Sequence, residues 1–158
     1  VAVADDVLEK RVGNARGADA LLRGADAGDI RHLNALPAFW TGLMYDQASL
    51  DAAWDLVKGF DAQTREGLRV AASVSGLQGE ANGVRLHDLA REAVALSQAG
   101  LSARAKPSED GLIPDETHFL APVEESIATG RTMADDILDK WTGAWAGDPK
   151  QIYAEYTL

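Results

Sequence analysis

The chain has 158 residues, which is enough for a domain with a substantial buried core. Apolar residues make up 46% and charged residues 25%, a balance typical of globular proteins and not of disordered ones. Its formal net charge of -10 repels phosphate backbones and anionic lipid surfaces, so we expect neither nucleic acid nor a membrane as a partner.

The sequence carries no sign of export or membrane insertion. No apolar run reaches the roughly 18 residues that a membrane helix needs, and the first residues lack the basic start and apolar middle of a signal peptide. We therefore expect a cytoplasmic protein. Cys is absent, which excludes thiolate nucleophiles, Cys-based zinc sites and disulfides from these residues.

Helical spacing of apolar residues dominates the sequence, and no convincing alternating strand is present. We therefore predict an all-α fold. Residues 1–28 form an irregular, Gly-rich segment with a near repeat, Arg-Gly-Ala-Asp-Ala at 16–20 and at 23–27. Two such short copies do not make a repeat protein. Residues 29–158 are predicted to form a single helical domain.

The first two predicted helices meet at a proline. Asp29 can cap a short helix that ends at Leu36, and Pro37 suits the first turn of the next one. The segment 37–45 is so apolar that we expect it to be buried on most sides.

Two amphipathic helices follow, and the first is ended by Gly59. Asp61 can cap the second, which runs toward Val74, and Gly76 stands just past its end. The chain from 76 to 83 is predicted to be a loop. The residues expected to face inward are Leu50, Ala53, Trp54 and Val57 in the first helix, and Leu68, Ala71 and Ala72 in the second.

The longest predicted helix covers 84–105, and a loop follows over 106–116, where Pro107, Gly111 and Pro114 interrupt any regular pattern. The helix is predicted because its apolar residues form one stripe opposite a charged face. The stripe consists of Leu86, Leu89, Ala90, Ala93, Leu96 and Leu101.

Three shorter helices close the chain. Pro122 starts one that ends at Gly130. Thr132 and Asp135 stand at capping-box spacing before the next, and Asp148-Pro149 opens the last. The residues expected to face inward are Ala134, Ile137, Leu138, Trp141 and Trp145, then Ile152, Tyr153 and Tyr156.

Residues that could hold a metal ion are scattered. His32, His87 and His118 have no partner at a recognised ligand spacing, so we interpret them as solvated or capping side chains. Asp115 and Glu116 could gather around a cation with His118, but they follow no EF-hand order.

Other candidate groups also favour structural roles. The adjacent pairs Glu124-Glu125 and Asp135-Asp136 point about 100° apart on a helix, which is poor geometry for sharing a metal or a proton. The side chains of Trp54, Trp141 and Trp145 could stack on a nucleotide base, but each lies on a predicted apolar stripe and is interpreted as core.

No generic nucleotide-binding or acyl-transfer motif is present. The glycines near Arg23 can expose backbone N–H groups, which makes Arg23 a candidate phosphate contact.

Two longer motifs are more specific. Residues 23–26 (RGAD) and 36–46 (LPAFWTGLMYD) closely resemble the R-G-A-D and L-P-A-F-W-x-G-L-x-Y-D segment of plant and proteobacterial glutamate-cysteine ligases. Further segments resemble that family in the same order, so the similarity spans about 23–156. They are Ala99-Gly100-Leu101, Trp145-Ala146-Gly147, Asp148-Pro149 and Tyr153-Ala154-Glu155-Tyr156.

This resemblance implies a helical, bundle-like C-terminal portion of an α+β carboxylate-amine ligase with a glutamine-synthetase-like fold. The implied reaction joins the γ-carboxylate of L-glutamate to L-cysteine through an acyl phosphate, the first step of glutathione biosynthesis. ATP and Mg²⁺ are implied cofactors, bound mainly on an antiparallel sheet that precedes this region. The expected partner is therefore a missing N-terminal catalytic half, and we expect the chain alone to be inactive.

In this family the last sheet strand carries a Glu-x-Arg pattern before Gly-Ala-Asp, with the acid as a metal ligand and the Arg on phosphate. Arg23 matches the Arg and becomes a candidate contact to ATP phosphate. Leu21 stands at the position of the acid and cannot bind a metal, and Asn14 stands there in the other copy. No catalytic residue is assigned.

Three interpretations of Leu21 remain open: an altered N-terminal segment in a fragment of a normal enzyme, a paralogue without activity, or residues 1–22 misread from the source. The alternative function is a noncatalytic helical interaction or regulatory module derived from the enzyme. The absence of Cys predicts that the plant-type disulfide switch is missing.

Overall fold

The computed structural model describes residues 30–105 and 116–156. Three sequence predictions therefore lie outside the described residues, namely the irregular segment 1–28, the Asp29 cap and most of the loop 106–116. The side chains of Tyr153 and Tyr156 lie outside them too.

Within the described ranges the fold consists of helices and one short hairpin, so the helical architecture predicted from the sequence is confirmed. None of these helices is long and apolar enough to cross a bilayer. Two 3-10 segments, Gly76–Gln78 and Glu116–Leu120, complete the chain order. The helices are α1 (Ile30–Met44), α2 (Gln47–Val57), α3 (Ala62–Ser75), α4 (Leu86–Arg104), α5 (Ala121–Thr129), α6 (Met133–Thr142) and α7 (Lys150–Tyr156), and the strands are β1 (Glu80–Ala81) and β2 (Val84–Arg85).

The hairpin occupies the end of the loop predicted over 76–83 and the first two residues of the helix predicted over 84–105. The prediction of no strand is therefore wrong. β1 and β2 pair antiparallel around Asn82 and Gly83, whose φ angles are 50° and 78°. Two residues with positive φ form the tight turn that suits a hairpin, and Asn-Gly is its usual sequence. The Asn82 side-chain amide donates to Thr64 Oγ1 over 2.9 Å, which ties the hairpin to α3.

Helix α1 is continuous through Pro37, so the predicted boundary between Leu36 and Pro37 is wrong. A proline inside a helix removes one hydrogen bond and crowds the carbonyl of the preceding turn. The helix continues because residues on both sides of Pro37 are buried in the core. Ala35 is 1% exposed and Ala38 is 6% exposed.

The buried face of α1 is nevertheless narrow. The exposed fraction is 47% for Trp40, 54% for Met44 and 73% for Tyr45. The prediction that 37–45 is buried on most sides is therefore wrong. The buried residues of α1 are Ala35, Ala38, Gly42 and Leu43. Gly42 is a glycine because α4 approaches it too closely for a side chain.

Helices α1 and α4 cross where each carries a glycine. A Cβ atom at Gly100 would lie 1.9 Å from the carbonyl oxygen of Gly42, and one at Gly42 would lie 2.2 Å from the carbonyl oxygen of Ser97. Ser97 is fully buried, and its hydroxyl donates to the Phe39 carbonyl oxygen over 2.9 Å. Only glycine permits so close an approach of two backbones.

The apolar core lies beside this crossing. Ala38, Leu101 and Leu120 form one buried cluster, and Phe39 packs partly buried against it. Leu101 of the predicted stripe is buried as expected, but the other buried residues of α4 lie beside that stripe, because Ser97 and Gly100 pack at the crossing. The buried residues of α4 are Val94, Ser97, Gly100 and Leu101, whereas Leu86, Leu89, Ala90, Ala93 and Leu96 are half-buried.

Helices α2 and α3 both begin at an aspartate cap. The Ser49 N–H donates to Asp46 over 2.9 Å, and the Thr64 N–H donates to Asp61 over 2.7 Å. The second cap confirms the predicted start of α3. On α3, Leu68 is buried and Ala71 is half-buried as expected, whereas Ala72 is exposed, contrary to the prediction. On α2 the predicted inward stripe is largely exposed at Leu50, Trp54 and Val57.

For the last three helices, the predicted ends agree with the structure better than the predicted buried residues do. Pro122 lies in the first turn of α5, which ends at Gly130 with a left-handed φ of 68°. The Lys150 N–H donates to Asp148 over 3.0 Å at the start of α7. Trp145 is buried past the end of α6, whereas Ala134, Leu138 and Trp141 are exposed, contrary to the predicted shared face.

We predict that Gly100→Ala destabilises the chain by about 3 kcal/mol, because the new methyl group overlaps the Gly42 carbonyl oxygen and the helices must move apart. Urea unfolding followed by circular dichroism measures this loss.

Gly59→Ala is the matched control, since no atom lies within 4 Å of its Cβ position. This substitution should leave stability within about 1 kcal/mol of the original or raise it. Equal stability of the two variants would contradict the close crossing.

Candidate functional site

A groove runs beside the start of α1, the helix that follows the Arg23 motif. One part is a cleft of about 270 Å³ between α1, α5 and the first turn of α6. The other part has a volume of about 300 Å³ and continues past His118 and Phe119. Residues with charged or titratable side chains along the groove are Arg31, His32, His118, Glu125, Arg131 and Asp136.

The charges of this groove are largely compensated by the chain itself. Arg131 donates to Asp139 over 2.5 Å and to Asp136 over 2.9 Å. The hydrogen bond to Asp139 is the first cause, and that to Asp136 the second, of the raised pKa of Arg131. Carboxylates of Glu125 and Asp136 line the same cleft, so the groove offers an anion no excess of positive charge.

The wall formed by α6 starts with the predicted capping box, which is confirmed. The Thr132 backbone N–H donates to Asp135 Oδ2 over 2.7 Å, and the Asp135 N–H donates to Thr132 Oγ1 over 3.4 Å. The carboxylate thus occupies the positive end of the helix. The hydrogen bond from the Thr132 N–H is the largest cause of the lowered pKa of Asp135.

The structure separates the three histidines. His87 Nε2 lies 2.8 Å from the carbonyl oxygen of Ile127, and because a carbonyl only accepts, that nitrogen carries the proton and links α4 to α5. His32 lines the groove, and the His118 ring lies 4.0 Å from the Phe119 ring. His87 thus caps a carbonyl in the last turn of α5, as the capping interpretation predicts.

Carboxylates that are adjacent in sequence have separate partners. Glu124 accepts a hydrogen bond from the Gln98 side chain, while Glu125 lines the groove. Glu116 pairs with Arg104 over 3.8 Å, and Asp115 lies outside the described residues. Among the residues that the structure describes, no group of three or more His, Asp or Glu side chains could hold a metal ion. None of the described residues is therefore assigned to Mg²⁺.

The tryptophans divide between core and surface. Trp145 is 7% exposed, as expected of a core residue, but Trp54 is 65% exposed and Trp141 37% exposed. The prediction that all three tryptophans lie in the core is thus wrong for Trp54 and Trp141. Arg23 and Leu21 lie outside the described residues, so their assignments remain predictions.

A family model for glutamate-cysteine ligase family 2 (GCS2) matches residues 8–155 of the chain. The chain belongs to this ligase family. It is 36% identical over 134 residues to the chloroplastic glutamate–cysteine ligases of Nicotiana tabacum and Arabidopsis thaliana. These matches cover 85% of this chain and 24% of each relative. The chloroplastic glutamate–cysteine ligase A of Oryza sativa subsp. indica is 35% identical over 85% of this chain and 26% of its own length.

The chain therefore spans about a quarter of the length of these relatives. The motif at 36–46, on which the resemblance to glutamate-cysteine ligases rested, occupies most of α1 and the turn after it. Ala38 lies in the core, Gly42 forms the crossing, and Asp46 caps α2. Three positions of this ligase motif thus have direct structural roles, whereas Trp40 stays exposed.

We predict that Asp135→Asn makes the stability of this ligase-family chain depend less on pH in the acid range. A carboxyl whose pKa is lower in the folded than in the unfolded chain adds stability that is complete above its ordinary pKa of 3.8. This stability is lost as the pH falls through the folded pKa. The melting temperature of the variant should therefore fall less than that of the original between about pH 5 and about pH 3.

Glu92→Gln removes an exposed carboxylate from α4 and serves as the control, which should keep the original slope. Identical slopes for Asp135→Asn and the original chain would show that the capping carboxylate contributes nothing to the pH dependence in the acid range.

Proposed function

We propose that this chain forms the helical, C-terminal portion of an ATP-dependent glutamate–cysteine ligase. The ligase joins the γ-carboxylate of L-glutamate to the amine of L-cysteine through an acyl phosphate. The observation that carries the proposal is the family match over residues 8–155. Relatives about four times as long as the matched stretch support a division of labour in which other regions hold the catalytic sheet of a carboxylate-amine ligase fold.

In this proposal ATP, Mg²⁺ and both substrates bind mainly outside the chain, on the N-terminal catalytic half. Phosphoryl transfer requires cations and donors placed where negative charge develops. Arg131 is engaged by two carboxylates of α6, and the described residues hold no cluster of three or more His, Asp or Glu side chains for a metal. In the same proposal the chain alone is inactive, because the catalytic sheet belongs to the N-terminal half, and Arg23 is its contact to an ATP phosphate.

Helix α1, which follows the Arg23 motif, is held in place by its packing on α4. The crossing of Gly42 with Gly100 holds α1 against α4, and α1 begins shortly after Arg23 in the sequence. A cytoplasmic location is proposed from the sequence alone, while the plant relatives are named as chloroplastic proteins.

The alternative is a noncatalytic module derived from the ligase. Leu21 is the observation that favours it, because a leucine cannot replace the acid that binds a metal ion in the family. A chimera tests both possibilities, with residues 8–155 in place of the corresponding stretch of the Nicotiana tabacum ligase.

We predict that Leu21→Glu raises formation of γ-glutamylcysteine by the chimera about 10- to 100-fold or more, since even a partner that only orients a metal ligand commonly has an effect of this size. Product is measured from glutamate, cysteine and ATP at saturating Mg²⁺. Leu22→Glu is the control at the neighbouring position and should bring no gain. If the chimera is fully active with Leu21, the assignment of this position to the metal site is wrong; if it is inactive with Glu at 21, the noncatalytic module is supported.

Arg23→Ala in the active chimera should lower kcat about 100-fold, because a donor to the transferred phosphoryl group is lost. The repeat supplies a matched control, since Arg16→Ala removes the equivalent side chain from the other Arg-Gly-Ala-Asp-Ala copy. A larger loss with Arg16→Ala than with Arg23→Ala would transfer the phosphate contact to the first copy.

A further inference from the structure

Helix α2 exposes a row of large apolar side chains on one face. Leu50, Trp54 and Val57, here called the α2 apolar row, are spaced one helical turn apart and are 39%, 65% and 37% exposed. Such a row is unfavourable in water and marks an interaction surface when it is contiguous.

A different face of α2 is already used for packing. Ser49 is buried, and its hydroxyl oxygen lies 2.9 Å from the position that a Cβ atom at Gly100 would take. Helix α2 therefore packs on α4 through a small residue. This packing turns the α2 apolar row away from the α1–α4 crossing.

Charge around the row restricts its partner. Asp51 and Asp55 flank Trp54 and are exposed, and Asp46 stands at the start of the helix. Lys58 pairs with Asp55 over 2.6 Å. The whole chain carries a net charge of -10, so a second copy would bring like charges together, whereas a surface with a basic rim would attract the row.

The length of the relatives identifies a source for such a surface. The matched stretch is 24% of the Nicotiana tabacum ligase, so about three quarters of that protein lies outside it. We propose that the α2 apolar row docks on the sheet-bearing remainder of the ligase, on an apolar surface rimmed by Lys and Arg. The proposal rests on the proposed function. Trp54 is its anchor, since a central tryptophan commonly dominates the energy of an interface.

Oxidation by hydroxyl radicals, located by mass spectrometry, tests the docking. The same residue is compared in the isolated chain of 158 residues and in the chimera described above. Oxidation of Trp54 should fall about fivefold or more in the chimera, as for a side chain that enters the buried centre of an interface. Unchanged oxidation of Trp54 overturns the proposal.

Two variants separate docking from a general effect of surface charge. Trp54→Glu and Val74→Glu each place a carboxylate at an exposed apolar position, on α2 and α3 respectively. Both should leave the melting temperature of the isolated chain unchanged. In the chimera Trp54→Glu should lower the melting temperature more than Val74→Glu does, and equal effects would overturn the proposal.

Further measurements distinguish a second copy of the chain on the α2 apolar row from the proposed partner, and they test docking separately from ligase activity. Dimers of the isolated chain in sedimentation equilibrium, abolished by Trp54→Glu, would assign the row to a second copy and overturn the proposal. An inactive chimera with protected Trp54 would contradict the ligase function and support the docking. An active chimera with freely oxidised Trp54 would do the reverse.

Discussion

The close crossing of α1 and α4 is the constraint on which the rest of the described fold depends. Gly42 and Gly100 bring backbone atoms into direct contact, so neither helix can rotate or slide without a clash. The Ser97 hydroxyl, buried at this crossing, would lose a hydrogen bond if the Phe39 carbonyl moved away, and an unsatisfied buried group is costly. The apolar cluster around Leu101 and Leu120 then assembles beside a fixed pair of helices.

Packing through small residues also explains the main errors of the sequence analysis. Hydrophobic periodicity marks the face with the largest apolar side chains as the inward face. Where two backbones touch, that face cannot be used, and the large side chains turn outward, as at Trp40 and Trp54. The family motif revealed which protein family the chain belongs to. The motif alone does not predict that its glycine, Gly42, is buried and that its tryptophan, Trp40, is exposed.

Local signals predicted more than periodicity did. The cap of α3 by Asp61 and the box of Thr132 with Asp135 each join residues three positions apart, so the sequence alone determines them. Pro37 failed as a signal because tertiary burial of its neighbours outweighs a local cost. At the candidate site, the resemblance supplied Arg23 and Leu21. The groove beside Arg31, in contrast, forms where α1 meets α5 and α6, which are distant from it in sequence.

The charges of the described helices bear on the proposed division between these helices and a separate catalytic region. A ligase that binds ATP and glutamate must present cations that its own carboxylates do not neutralise. Here Arg131, Arg69 and Lys58 each pair with acids on their own or adjoining turns, and the chain as a whole is acidic. Such a surface repels anionic substrates but attracts a basic protein surface. The charges of the described helices therefore agree with the proposed docking on a basic surface elsewhere in the ligase.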